Sequence, residues 1–176
     1  VQDQVKAIPK GKFRVLLADP PWHYGDQLTE NYGGTKWHYP SMTIAELCAL
    51  PVSEHVAKDA VLFLWVTSPL LSECWPVIEA WGFTYKTSFV WDKVRHNMGH
   101  YNSVRHEFLL ICTRGKCTPD STKLIDSVQT IERSAKHSEK PEEFRKIIET
   151  MYVHGRRLEL FAREPHAGWE VFGNEC

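Results

Sequence analysis

The sequence predicts an α/β domain, on three observations. Apolar runs of strand-like and helix-like period alternate along the chain. The runs are bounded by proline, glycine or helix-capping residues. The 176 residues, 43% of them hydrophobic, suffice to bury one core, so residues 1–176 are read as a single domain.

Phe13 to Ala18 is a short aliphatic, β-branched run that stops at Asp19-Pro20-Pro21, because proline removes ladder donors; it reads as a buried strand with a stiff end. His23 to Ser41 is polar and aromatic with Gly25, Gly33 and Gly34, the composition of a long functional loop. Thr43 with Glu46 three residues on forms the reciprocal capping pattern, and Ile44 to Leu50 supplies a short helix ended by Pro51. Ala60 to Val66 is apolar on both faces, as in a strand covered on both sides. Ser68-Pro69 then predicts a helix running to about Trp81 and closed by Gly82. Phe83 to Trp91 and His106 to Thr113 are strand candidates suited to an antiparallel pair, with Asp92 to Arg105 between them as a basic loop. A weaker strand falls at Val128 to Ile131. A helix spans Glu142 to Tyr152 through Phe144, Ile147, Ile148 and Met151, and a last strand spans Arg157 to Ala162. Arg163 to Cys176 is a polar, glycine-bearing tail beyond that strand, where open α/β sheets place their ligands.

Composition excludes several classes. No apolar run approaches the length of a bilayer span, and Val1 to Lys12 lacks the layout of a secretory signal, so a reducing cytoplasmic location is expected. The five cysteines, Cys48, Cys74, Cys112, Cys117 and Cys176, have neither disulfide nor zinc spacing and read as free thiols. None of the nine histidines stands in a metal-binding pattern, and no metal is expected. A net charge of −1 argues against a strongly cationic coat, although a local basic surface still serves phosphate attraction.

Asp19-Pro20-Pro21-Trp22 carries the most specific chemistry. An exocyclic amine on an aromatic base shares its lone pair with the ring and is a poor nucleophile until that pair is localised. A carboxylate and a backbone carbonyl accepting from the two amine hydrogens do this by preorganisation. Asp19 and the Pro20 carbonyl are the expected acceptors, with the prolines fixing their direction. Asp19 would act as an orienting acceptor rather than a strong base. Trp22, helped by Tyr24 or Tyr39, would give an extruded base a face to lie on. The plainer reading, a strand-ending turn with a packed tryptophan, stands beside it, and the position between a buried strand and a long aromatic loop favours the functional one.

Over nearly its whole length the sequence resembles the mRNA-adenosine methyltransferase-like family, MT-A70, in its compact bacterial and phage form. The resemblance rests on Leu17-Ala18-Asp19-Pro20-Pro21-Trp22, His38 to Thr43, Leu62 to Thr67, Trp81-Gly82-Phe83, His106-Glu107, His137 to Glu142 and Arg157 to Arg163. It implies a Rossmann-like class I methyltransferase fold with a mostly parallel sheet, an antiparallel strand and a permuted motif order. It also implies S-adenosylmethionine as methyl donor and N6 of adenine as acceptor. By position, Asp19, Pro20, Pro21 and Trp22 match the catalytic turn, with Asp19 also near the donor's amino group, and Tyr39 matches a substrate-side aromatic. Arg163, His166, Asn174 and Glu175 match the segment holding the donor's ribose and methionine ends, and Leu160 and Phe161 would wall its adenine. His106 stands where relatives carry a lysine for the donor's carboxylate, which makes that contact pH-dependent. The segment before the first strand, which touches the donor in relatives, is reduced here to Val1 and its neighbours.

Lys93, Arg95, His96, His100, Arg105 and His106 form a stretch without an acidic residue that suits a phosphate backbone, and equally a solvated loop. Lys93, Arg95 and Arg105 are the substrate-binding candidates within it. Arg133, Lys136, His137 and Lys140 divide the same way. Trp65, Trp75, Trp81 and Trp91 are expected in the core, and Trp169 fits either role. DNA is favoured over RNA as the partner. RNA methylation, a catalytically silent partner subunit, and methylation of a protein or small-molecule amine are the alternatives. A homo-oligomer or partner subunit would supplement a weak grip on nucleic acid. Such a protein would be cytoplasmic if bacterial or phage-encoded, and nuclear if eukaryotic.

Overall fold

A computed structural model of the chain describes residues 7–24, 41–136 and 139–173. Seven strands form one sheet: β1 (Phe13–Ala18), β2 (Val56–Val66), β3 (Thr84–Met98), β4 (Ser103–Arg114), β5 (Val128–Thr130), β6 (Arg157–Leu160) and β7 (Glu170–Phe172). Their order is β5-β3-β4-β2-β1-β6-β7. β1 pairs in parallel with β2 and β6, β6 with β7, and β3 with β5, while β4 runs antiparallel to both neighbours. The expected Rossmann-like arrangement, mostly parallel with one reversed strand, is what the chain adopts. Every strand except β4 therefore ends at the same edge of the sheet, and β4 begins there.

Period-two alternation sorts the strand residues between two cores. On one face Leu16, Ala18, Leu62, Leu64, Leu110 and Leu158 pack with Leu47 of α1 (Ile44–Ala49) and Val77 and Ile78 of α2 (Trp75–Ala80), joined by Phe13 across a break in the β1 register. On the other, Val15, Leu17, Phe63, Trp65, Trp91 and Leu109 pack with Phe144 and Ile148 of α3 (Glu142–Met151). The Thr43–Glu46 capping box forms as expected: Glu46 N donates to Thr43 Oγ1 at 3.2 Å, and Thr43 N donates to Glu46 Oε2 at 2.7 Å.

Several expectations need correction. The helix expected from Ser68 to Trp81 is divided into a 3-10 turn at Ser68–Leu70 and α2, because Pro76 lacks an amide donor and is accommodated in the first turn of a new helix. The basic loop expected at Asp92 to Arg105 is mostly strand, continuing β3 and beginning β4 as one long hairpin. The tail contains β7, too short at three residues to show an alternation. Trp65, Trp81 and Trp91 are buried, but Trp75 is 40% exposed and packs edge-on against Tyr85. Trp169 joins the core, its Nε1 donating to Glu149 Oε1 at 2.9 Å. Cys48, Cys74, Cys112 and Cys117 are free thiols, and burial pushes Cys74 up to about 11 and Cys112 to about 12. No helix among the described residues is long and apolar enough to cross a membrane.

Asp120 ties three parts of the fold together. Its carboxylate accepts from Arg14 Nη1 at 2.9 Å and Nη2 at 2.7 Å, and from the Val153 backbone N–H at 2.9 Å. These bonds, the Arg14 fork first, hold Asp120 well below the usual carboxylate range. A carboxylate depressed in the folded state stabilises it above the unfolded pKa of about 4, and that contribution is lost as pH falls. Asp120→Ala is expected to cost roughly 1–2 kcal/mol at pH 7 in urea unfolding, with the difference from the parent shrinking below about pH 4.

Candidate active site

β1 delivers Asp19 to the ligand-binding edge of the sheet. The Asp19 amide donates to the Leu160 carbonyl at 3.3 Å, so the corner stays stitched to β6 one residue past the end of β1. The two prolines then turn the chain away. The Pro20 carbonyl accepts from the Trp22 amide at 2.8 Å, and the Pro21 carbonyl from the Met42 amide at 2.8 Å. The first bond fixes the direction of the Pro20 carbonyl and leaves its second lone pair open to another donor. Trp22 locks the corner from below: it is 8% exposed, and its indole Nε1 donates to the Trp65 carbonyl at 3.0 Å. The structure thus gives Trp22 a buried anchoring position in place of the open face expected from sequence. Tyr24 is the exposed aromatic beside it, at 47%, its hydroxyl 2.7 Å from Thr67 Oγ1.

Asp19 opens onto a cleft of about 630 Å³, a volume within the range of small-ligand sites. Leu17, Trp65, Lys140, Glu159, Phe161, Arg163 and His166 line it as well. Of the sequence candidates, Asp19, Phe161, Arg163 and His166 thus share one cavity. Leu160 does not: it is fully buried on the α1–α2 face, and alternation turns its neighbour Glu159 into the cleft instead. His106 is likewise directed away, packing edge-on against Phe108, which lies on the α1–α2 face, while adjacent Glu107 points toward the cleft side. Tyr39, Asn174 and Glu175 lie outside the described residues. Lys93, Arg95 and Arg105 sit on the β3–β4 hairpin, paired with Glu107, Glu132 and Asp92 at 2.9, 2.6 and 2.7 Å.

The electrostatic centre is a line of alternating charges that sequence reasoning missed. Lys140 Nζ is 3.4 Å from Asp19 Oδ1 and 3.0 Å from Glu107 Oε1, and Lys93 Nζ is 2.9 Å from Glu107 Oε2. Lys140 also lies 5.5 Å over the Trp65 ring, and Lys93 5.0 Å over Trp91. Glu107 is 5% exposed, and an isolated buried carboxylate would be costly. Burial works to raise its pKa, but Lys140 and Lys93 outweigh burial and hold Glu107 below the ordinary value. Burial works to lower that of Lys140, and Asp19 and Glu107 keep its ammonium charged. At Asp19 burial prevails: its pKa is raised, with Lys140 opposing. His106-Glu107 and His137 to Glu142 hold two of these groups, but the sequence does not reveal that a strand and a loop bring them together.

A second fork supports the cleft floor. Arg145 Nη2 donates to both carboxylate oxygens of Glu159 at 2.9 Å, and the Arg145 Nε is buried without a hydrogen-bond partner among the described residues. Phe161, at the end of β6, takes a left-handed φ of 63°, a strained conformation for a bulky residue and one that clusters at ligand sites. Gly173 lets the two strand ends close together: a Cβ there would stand 2.2 Å from the Ala162 carbonyl oxygen.

This corner belongs to a known sequence pattern. The profile of the MT-A70 family matches residues 13–175, which takes in the whole sheet and both sides of the cleft. The chain belongs to the MT-A70 family. Its relatives include the type II methyltransferase M.MunI of Mycoplasma sp, 36% identical over 186 residues that span 96% of this chain and 79% of that protein. The N(6)-adenosine-methyltransferase MT-A70-like protein of Arabidopsis thaliana is 29% identical over 94% of this chain and 24% of its own length. For the human N(6)-adenosine-methyltransferase catalytic subunit METTL3 the identity is 29%, over 94% of this chain and 28% of that protein. This MT-A70 chain therefore spans most of the Mycoplasma protein and about a quarter of the plant and human ones.

Glu107→Gln removes the counter-charge shared by two shielded ammonium groups while keeping the side chain's shape. It is expected to destabilise the fold by roughly 3 kcal/mol in urea unfolding. Glu107→Gln combined with Lys140→Met should recover part of that loss, because one unpaired buried charge is gone.

Proposed function

We propose that this chain transfers a methyl group from S-adenosylmethionine to the exocyclic N6 amine of adenine in nucleic acid, with DNA the favoured acceptor. The observation that carries the proposal is the stiffened Asp19-Pro20-Pro21-Trp22 corner opening on the cleft at the ends of β1 and β6. Family membership supports the reaction class. The likeness to a type II methyltransferase over 79% of its length favours DNA. The plant and human relatives named for adenosine methylation are the reason RNA is kept as the second acceptor to test.

The cleft fits the methyl donor on its own chemistry. A sulfonium with an amino and a carboxylate group needs both signs of charge nearby, and Asp19, Glu159, Lys140 and Arg163 supply them around a volume of about 630 Å³. Asp19, Phe161, Arg163 and His166 would hold it, with Asn174 and Glu175 the further candidates by sequence. When bound it supplies an electrophilic methyl carbon. The protein's part is to present the nucleophile. Asp19 and the free lone pair of the Pro20 carbonyl accept from the two amine hydrogens, which draws the nitrogen lone pair out of the base's ring. The amine becomes acidic only as it gains the methyl group, so Asp19 orients first and the proton leaves afterwards. Lys140 opposes the rise that burial imposes on the Asp19 pKa. Tyr24 is placed to meet the extruded base, with Tyr39 the second candidate by sequence. Residues 1–176 act in this reading as one methyltransferase domain, with cytoplasmic action for a bacterial or phage protein.

Asp19→Ala is expected to lower methyl transfer roughly 100-fold or more while leaving urea stability near that of the parent. Labelled methyl should appear as N6-methyladenine by mass spectrometry of the acceptor strand. Label on cytosine, or undiminished transfer by Asp19→Ala, contradicts the proposal. Because burial raises the Asp19 pKa, kcat/KM should fall on the acid side as pH drops through a value above the ordinary aspartate range.

A further inference from the structure

The β3–β4 hairpin carries the two most conspicuous exposed groups of the described surface that the site does not use. Met98 is 99% exposed and Tyr101 is 102% exposed, so among the described residues nothing covers either one. Tyr101 lies in the tip and Met98 at its base, where the Gly99 amide donates to the Asn102 carbonyl at 3.0 Å and Met98 pairs with Ser103. The hairpin leaves the sheet at the edge that holds the Asp19 corner. β4 starts there, and Glu107, joined through Lys140 to Asp19, marks the level of the site. From Glu107 to Tyr101 the β4 arm is long enough to stand roughly 20 Å beyond that level.

The arm is braced rather than loose. Arg105 Nε and Nη2 donate to Asp92 at 2.9 and 2.7 Å, and Arg133 Nη1 donates to Asn97 Oδ1 at 2.7 Å. Arg95 holds Glu132, and Ser103 Oγ lies 3.0 Å from His96 Nδ1. Between the Asp92–His106 and Asn97–Val104 pairs the ladder is irregular, and Val94 takes a left-handed φ of 67°. Bulges beside active sites redirect a ribbon, and this one sets the aim of the tip. From Lys93 to His106 the arm has no carboxylate of its own, and Lys93, Arg95 and Arg105 are each met by one from outside that stretch.

We propose that this hairpin is a duplex-engaging arm, with Tyr101 and Met98 inserting at a base step next to the target adenine and helping to hold it out of the stack. The inference rests on the functional reading above and adds to it how a paired base is reached. A two-stranded ribbon fits a DNA groove. Apolar wedges that unstack a step are the usual means of distorting a duplex, and a base must leave its stack before its amine can meet Asp19. Arg133, held on the arm by the neutral amide of Asn97 and not by a carboxylate, keeps a cation beside the tip for a phosphate, which favours nucleic acid over an apolar protein partner, and a prebraced arm loses little freedom on binding.

The test uses unmethylated plasmid DNA as duplex and as heat-denatured single strands, with matched RNA alongside, for the parent, Met98→Ala/Tyr101→Ala and Tyr101→Phe. The double variant should lose about 10-fold or more of duplex methylation, with single-strand methylation within about 3-fold of the parent and S-adenosylmethionine affinity by calorimetry unchanged. Tyr101→Phe should keep most duplex activity. Equal activity on both acceptors, an equal loss on both, or a change in oligomeric state by light scattering overturns the proposal, the last marking the tip as a protein contact. Should the parent methylate no acceptor, the functional reading itself fails. The arm is then judged on duplex binding by fluorescence anisotropy, where weakening of about 5-fold or more in the double variant supports it and parent-like affinity overturns it.

Discussion

The architecture around the cleft turns on one carboxylate, Asp19, whose partial burial is set against a neighbouring ammonium. Burial raises the Asp19 pKa, and an ammonium 3.4 Å away opposes that rise. Lys140 could not lie over the Trp65 ring on its own, since burial disfavours its charge as well. Glu107 answers for it, and Lys93 answers for Glu107. The four groups alternate in sign, so neutrality is reached along the line, from Asp19 at the cleft to Lys93 on the hairpin. This is a structural reason for β4 to run against its neighbours: reversing it brings Glu107 at its start to the edge where β1 ends.

The same edge explains why such a short chain can hold a cleft. The parallel strands β1 and β6 end side by side, the double proline keeps the chain from continuing β1, and Phe161 turns sharply in a left-handed conformation after β6. The opening between those two departures is the cavity. Trp22 anchors the corner through its bond to the Trp65 carbonyl and packs in the core on the α1–α2 face, so the tryptophan of the motif contributes rigidity first. In the proposed reaction, a corner stiff before a base arrives needs little reorganisation.

Much of this was legible in the sequence, for identifiable reasons. β1, α1 and α3 were found within a residue or two, because each carries a local signal: a proline stop, a capping box, an amphipathic spacing. The corner proposed as catalytic was legible because two prolines after an aspartate end the strand and fix the direction of the chain. The hairpin has the sequence of a loop because its strand residues are polar and exposed on both faces, which erases the alternation a half-buried strand shows. Leu160 and His106 were placed in the site by position along the chain, and side-chain alternation turns both to the other face. Lys140 was read as part of a basic surface stretch, since nothing local distinguishes a lysine that will meet Asp19 and Glu107 from one that will meet solvent. Contacts between groups far apart in the chain are set by strand order, and order is not written in any single segment.

The most direct test of the central claim is a carbon NMR titration of the Asp19 carboxyl in the parent and in Lys140→Gln. An apparent pKa above the ordinary aspartate value, moving further upward when the ammonium is removed, is the predicted result. A value at or below the ordinary one that ignores the substitution would contradict the account.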